Sequence, residues 1–378
     1  MRKHYAIVAA AVVAVGLSAC GSSDPLSGQD LPENSSDASG SASASDSQNF
    51  TADLSGTLTG AGASSQESAM DAWRAGFQAH YPDTTITYDP VGSSGGRTQF
   101  LEGGLAFAGT DSPLSGDELE RATDRCHGAG VLQAPLYISP IAVVYNLEGV
   151  PELKLTPDNL AAIFNGDITQ WDDPALQADN PDVDLPDMRI TPVNRSDGSG
   201  TTENFTDYLA AAAPEAWPHE PSDTWPLTGS QSAQGTSGVV QTVQGGNGTI
   251  GYADASKAGD LGIAQIQVGD EFITYSAEAA AAVVDASPRQ EEREEHDIVI
   301  DLDRTTEAPG AYPLVLISYS VACLEYEDQA EGQMVQEFLR YQASEEGQQQ
   351  AATAAGSAPI SDELRSEITA GIEAIELP

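Results

Sequence analysis

A turn that recurs along the chain does most to narrow the fold. G-A-G-A-S-S (Gly60–Ser65), V-G-S-S-G-G-R (Val91–Arg97) and N-R-S-D-G-S-G-T-T (Asn194–Thr202) are all rich in glycine and hydroxyls. Each follows a short predicted strand: Leu54–Gly60, Thr84–Tyr88 and Met188–Val193 respectively. Each opens a predicted helix. The first is Glu67–His80, whose Met70, Trp73 and Phe77 share one face. The second runs on to Leu101, and the third is Glu203–Leu209. A fourth predicted strand, Leu105–Ala108, ends in G-T-D-S-P-L-S, which places Asp111 at a strand's carboxyl end. Strand, turn and helix repeated in this way predict an α/β fold, and in such folds ligands meet the carboxyl ends of strands.

The chemistry of these turns is that of an anion site. Gly198 and Gly200 let the backbone come close to a ligand. Ser199, Thr201 and Thr202 supply hydroxyls and cap the helix that follows. Free N–H groups at a helix start, with the dipole behind them, attract negative charge. Arg195 adds a guanidinium able to grip a tetrahedral oxyanion at two points, and Asp197 is placed to hold it. Ser64, Ser65 and Ser93 sit at the other two helix starts. Taken singly, each turn also reads as an ordinary capped strand–helix connection, and Asp111 as a turn former. Three such turns in one chain make coincidence a poor account.

Other chemistries lack their residues. No G-x-x-x-x-G-K-[ST] occurs and no G-x-G-x-x-G opens a βαβ unit, which disfavours nucleotides. His4, His80, His127, His219 and His296 form no i, i+4 pair, so neither a metal nor a cofactor is expected. The acidic run Glu291–Asp297 reads as a solvated helix or loop.

Further along, Pro135–Tyr145 reads as a strand pair or crossover and Leu155–Phe164 as a helix. Ser237–Gln244 is a predicted helix in another glycine-rich stretch, Thr249–Tyr252 a strand and Ala311–Ser320 a buried strand. Gln333–Ala343 and Asp362–Glu373 close the chain as helices.

The beginning reads as an address. Met1–Ala19 has a basic start and a short apolar run, ending L-S-A-C at Cys20, which resembles the bacterial lipobox. That resemblance implies cleavage before Cys20 and a lipid on its sulfur. Residues 20–55, rich in Ser, Asp, Ala and Gly, read as a disordered tether. Cys126 and Cys323 then lie in an oxidising compartment, which favours a disulfide over two buried thiols. With 378 residues there is room for two domains. A formal net charge of −43 repels nucleic acid and anionic lipid surfaces, so any anion must be held by aimed local donors.

Together G-A-G-A-S-S, V-G-S-S-G-G, G-T-D-S-P-L-S and R-S-D-G-S-G-T, with T-I-G-Y and Y-P-L-V-L-I-S-Y, resemble the substrate-binding lipoproteins of high-affinity ABC phosphate transporters. The match runs from about Leu54 to the end of the chain. It implies a two-lobed type II periplasmic-binding-protein-like fold, with a hinge and phosphate in the cleft. Residues 56–138 plus 317–378 would form lobe 1 and residues 139–316 lobe 2, which puts both Cys126 and Cys323 in lobe 1. By motif, Ser64, Ser65, Ser93 and Asp111 would meet phosphate from one lobe. Arg195, Ser199, Gly200 and Thr201 would meet it from the other, with Asp197 behind Arg195. The family carries Thr and a large apolar residue where this chain has Ser64 and Ser65, and backbone donation by Ser65 survives that change. The implied protein is a monomer, anchored outside the cell membrane by lipid, that delivers inorganic phosphate to ABC permease subunits without covalent chemistry. Two alternatives share the turns. One is a phosphohydrolase with Ser93 or Ser199 as nucleophile, and the other a phosphate sensor or adhesion protein with no transport role.

Overall fold

Strand and helix alternate from the first described element. The computed structural model describes Phe50 and residues 52–378, so Met1–Ala19, Cys20 and most of the expected tether lie outside the described residues. β1 (Gly56–Gly62), α1 (Glu67–His80), β2 (Thr84–Asp89), α2 (Ser93–Leu101) and β3 (Phe107–Thr110) come first. β1 lies parallel between β2 and β3, so the turns after all three strands open on one edge. α1 buries Met70, Trp73 and Phe77, the face that the 3–4 spacing predicts. The tether is shorter than expected: Leu54 is buried, and the Phe50 ring packs 5.6 Å from that of Tyr341.

α3 (Asp117–Arg125) leads into β4 (Val131–Asn146), a single strand of 16 residues where the sequence suggested a pair or a crossover. Val131 to Pro140 pair antiparallel with β11 (Val315–Cys323). Ile141 to Asn146 pair instead with β8 (Thr249–Asp254). Proline cannot donate to a ladder, so strands tolerate it at irregular points. Pro135 lies beside a register shift, and Pro140 where β4 changes partners.

The second half adds β5 (Leu153–Leu155), α4 (Pro157–Asn165), α5 (Pro174–Asp179), β6 (Thr191–Arg195), α6 (Gly200–Ala212), β7 (Gln231–Ala233) and α7 (Gly235–Gln244) before β8. β9 (Gly262–Val268), β10 (Glu271–Ile273) and α8 (Ala277–Ala286) follow. The main strand path is β2-β1-β3-β11-β4-β8-β6-β7, and β9 pairs with β4, β5 and β10. α4 starts two residues later than the sequence suggests. Thr156 accepts from the Asn159 N–H as cap, Pro157 takes the first position, and Leu155 is left to β5.

After β11 come α9 (Gln329–Ala343), α10 (Glu345–Ala355) and α11 (Asp362–Glu373). α10 was not expected, because its Glu-Glu-Gly-Gln-Gln-Gln start carries no apolar stripe. It is held by the Ser344 cap and by Trp73, whose indole N–H donates to the Gly347 carbonyl at 2.8 Å. Cys126, at the end of α3, is bonded to Cys323, at the end of β11.

The acidic run forms a loop, one of the two forms expected of it, and most of its residues face solvent. Asp297 is buried, paired with Arg293 at 2.9 Å and accepting from Gln133 at 2.6 Å. Residues 289–300, placed in lobe 2 by the expected boundaries, run beside β4 and β11. Gln133 bridges to Asp297, and the Tyr319 hydroxyl accepts from the Ile300 N–H at 3.3 Å.

Candidate functional site

The parallel strands on both sides of β4 end at one cleft, and their turns line it. Ser64 and Ser65 follow β1, Ser93 begins α2, and Asp111 follows β3 directly. From the other side, Arg195 ends β6 and Ser199 caps α6, its hydroxyl accepting from the Thr202 N–H at 3.2 Å. The first N–H groups of α1, α2 and α6 cannot be used by carbonyls of their own helices. Those of Ser94 and Thr202 are taken by the Gly198 carbonyl and the Ser199 hydroxyl, and the others at these helix starts remain for the cleft.

Asp111 is the meeting point. Its Oδ1 accepts from the Ser65 hydroxyl at 2.7 Å and its Oδ2 from the Thr201 hydroxyl at 3.0 Å. Its own N–H donates to the Ser93 hydroxyl at 3.1 Å. Asn204 donates to the carbonyls of both Asp111, at 2.9 Å, and Gly200, at 2.8 Å. Gly200 has to be glycine here, because a β-carbon would stand 2.6 Å from that of Asp111. Burial pushes the Asp111 carboxyl above the usual carboxylate range, while the Ser65 and Thr201 hydroxyls and the Arg195 charge oppose the rise.

Arg195 is buried and held by a fork. Its Nε donates to Asp197 Oδ1 at 2.9 Å and its Nη2 to Oδ2 at 2.5 Å. Burial works against the Asp197 charge, but Arg195 and the Gly235 N–H outweigh it and hold this carboxyl below its ordinary value. The fork leaves Nη1 and the remaining Nη2 hydrogen for a ligand.

The structure thus brings Ser64, Ser65, Ser93, Asp111, Arg195, Asp197, Ser199, Gly200 and Thr201 to one place. Sequence reasoning missed several others. The Ser64 hydroxyl is 3.0 Å from that of Thr236 and accepts from the Thr236 N–H at 3.1 Å. Thr236 lies in a fourth Gly/Thr/Ser turn, G-T-S-G at 235–238, so its signal was present. Arg97 was visible inside V-G-S-S-G-G-R, yet its partners Glu118 and Asp223 were not. Asp223 lies in a stretch with no motif around it.

The arrangement can hold a tetrahedral oxyanion that keeps a proton. Helix N-termini and one guanidinium take the negative charge, and one carboxylate accepts the proton. Comparison with known proteins gives the same direction. Residues 39–346 match the family described as the PBP superfamily domain. Phosphate-binding protein PstS 3 of Mycobacterium tuberculosis (strain ATCC 25618 / H37Rv) is 34% identical over 378 residues, covering 97% of this chain and 98% of the relative. The chain belongs to the PstS family of phosphate-binding proteins. Another PstS, from Xylella fastidiosa, is 31% identical over 303 residues, covering 78% of this chain and 79% of its own length. Among solved structures, a high-affinity periplasmic phosphate-binding protein with phosphate bound superposes with a TM-score of 0.68 at 22% identity. It covers 83% of this chain and 93% of its own. A phosphate-binding protein from Stenotrophomonas maltophilia gives 0.62 at 20% identity, covering 84% and 94%. These likenesses establish the two-lobed fold of the PstS chain.

Proposed function

We propose that this PstS-family chain binds inorganic phosphate in the cleft, outside the cell membrane, and delivers it to the permease of an ABC importer. Asp111 carries the reading. A buried carboxylate facing an anion is costly unless a proton lies between them. Phosphate at neutral pH still has one to give. The Ser65 and Thr201 hydroxyls occupy one acceptor site on each Asp111 oxygen, and a carboxylate has about four in all. Ser64, Ser65, Ser93, Arg195, Ser199, Gly200 and Thr201 are the proposed ligand contacts, with Asp197 setting Arg195.

The change of partner on β4 at Pro140/Ile141 supports a lobe boundary near there. We assign residues 56–138, 289–300 and 317–378 to lobe 1 and the remainder of 139–316 to lobe 2. L-S-A-C supports a lipid anchor at Cys20 and a tether from there to the fold. The chain works as a monomer, and binding and release are its whole task. Steady liberation of phosphate from a chromogenic ester would instead favour a hydrolase.

Competition calorimetry tests the reading. Arsenate keeps both the proton and the shape, so it should displace phosphate at neutral pH. Sulfate keeps only the shape, and its lone pairs would face those of Asp111, so it should be rejected by at least about a hundredfold. Because burial raises the Asp111 pKa, its acid form appears as pH falls and can donate to sulfate. Sulfate competition should therefore grow toward acid pH. Sulfate that competes as well as arsenate at neutral pH would show that Asp111 does not face the ligand.

A further inference from the structure

Asp223 belongs to none of the motifs, yet it touches both walls of the cleft. It lies in the loop between α6 and β7, on the Arg195 side. Its carbonyl accepts from the Ser199 N–H at 2.8 Å, which fixes the residue that caps α6. Its carboxylate crosses to α2 on the opposite wall. There Oδ2 accepts from the Ser94 hydroxyl at 2.5 Å and from Arg97 Nη2 at 3.1 Å. Ser94 and Arg97 are one helical turn apart, and Ser94 follows Ser93 directly. A second bond joins the walls at the same point, from the Ser94 N–H to the Gly198 carbonyl at 3.3 Å.

Arg97 carries the contact onward. Its Nε donates to Glu118 of α3 at 3.0 Å and its Nη1 to the Thr110 hydroxyl at 3.3 Å, one residue before Asp111. The Arg97 side chain is 9% exposed and that of Asp223 is 27% exposed, so the pair sits at the rim and is partly screened from water. The Ser94 and Arg97 contacts outweigh burial and hold the Asp223 carboxyl below its ordinary value, so it is charged at neutral pH.

We propose that Asp223 is a positioning residue that latches the two lobes over the anion. Its carbonyl orients the Ser199 turn, and its carboxylate clasps the helix that presents Ser93. The carboxylate contact spans the lobes and parts when they open, so it stabilises the closed, anion-bound form and slows release. This rests on the phosphate-binding reading above. Charge-assisted bonds that are only partly screened should give about a tenfold effect.

The test uses the mature chain, with phosphate release and capture followed by stopped flow in wild type, Asp223→Asn, Arg97→Gln and the double variant. Asp223→Asn keeps the carbonyl and the size but removes the charge. Release should quicken about tenfold in each single variant while capture changes little, because the pair forms only after encounter. The double variant should release no faster than the singles. Added salt should quicken release in wild type more than in the variants. Thermal unfolding of phosphate-free Asp223→Asn, which leaves the Arg97 bonds to Glu118 and Thr110 in place, should stay within a degree or two of wild type. Unchanged release in the single variants overturns the latch, as do additive effects in the double. A fall in phosphate-free stability that accounts for the release change also overturns it, by making the role merely structural. Wild-type protein that binds no phosphate overturns the binding reading and the latch together, which separates the two failures.

Discussion

Asp254 is a buried carboxyl that makes the stability of the fold depend on pH. It ends β8 wholly buried, with Oδ1 accepting from the Tyr137 hydroxyl and from the Ser256 N–H, both at 3.0 Å. Burial pushes its carboxyl from an ordinary 3.8 up to about 6, although the hydroxyl and N–H donors oppose the rise. A raised pKa means that the folded state holds the proton more tightly than the unfolded state. The associated stability is therefore full below about 3.8 and is lost as pH rises through about 6. The loss is on the order of 3 kcal/mol. Asp254→Asn keeps an acceptor for Tyr137 and has no proton to lose. Urea unfolding of the phosphate-free protein at pH 4 and pH 7 should show wild type losing ground to the variant by roughly that amount. An equal gap at both pH values would mean that Asp254 does not titrate in this range.

Among the elements, α3 and β11 are tied most directly. Cys126 closes α3 and Cys323 closes β11, at a sequence separation of 197. Arg125 packs beside the bridge, its guanidinium 4.1 Å from the centre of the Phe100 ring on α2. A bridge across so long a stretch restricts the unfolded chain strongly, and its removal should cost about 2–5 kcal/mol. Cys126→Ser with Cys323→Ser, followed by urea denaturation, measures it. Because the cleft takes none of its donors from either cysteine, phosphate affinity at low temperature should hold near wild type. A variant as stable as wild type would show that packing of α3 alone holds this corner.

At the scale of the molecule, charge and tether decide how the binding site meets its surroundings. With 58 acidic and 15 basic residues, the surface repels the anion that the cleft is built to hold. That repulsion is screened beyond about 8 Å at physiological salt, while the proposed donors, buried Arg195 and the helix starts, would act at contact. Among the described residues no helix is long and apolar enough to cross a membrane; in the proposed reading a lipid at Cys20 would provide attachment. A flexible tether of about 30 residues between Cys20 and Phe50 would give a root-mean-square reach of roughly 30 Å, enough to float the fold beside a permease. Cys20→Ala should leave the protein unprocessed or free in the medium when cell fractions are blotted. Normal processing and normal membrane recovery of that variant would count against the lipid anchor.

What the sequence determined by itself was local. Glycine spacing, hydroxyls at helix starts and the apolar faces of α1 and α11 are short-range properties, and both helices end where the residue pattern places them. The strands were legible in kind but not in extent. β6 runs to Arg195, two residues past the expected end, because pairing with β7 through Arg195 continues the ladder where propensity stops. The tertiary structure decided which groups face each other. Thr201 reaches Asp111 across 90 residues, Ser64 reaches Thr236 across 172, and Arg97 reaches Asp223 across 126. No periodicity encodes such pairs. They exist because β4 changes partners midway and carries two sets of strand ends to one cleft. There burial makes each charge and hydroxyl depend on partners far away in the chain.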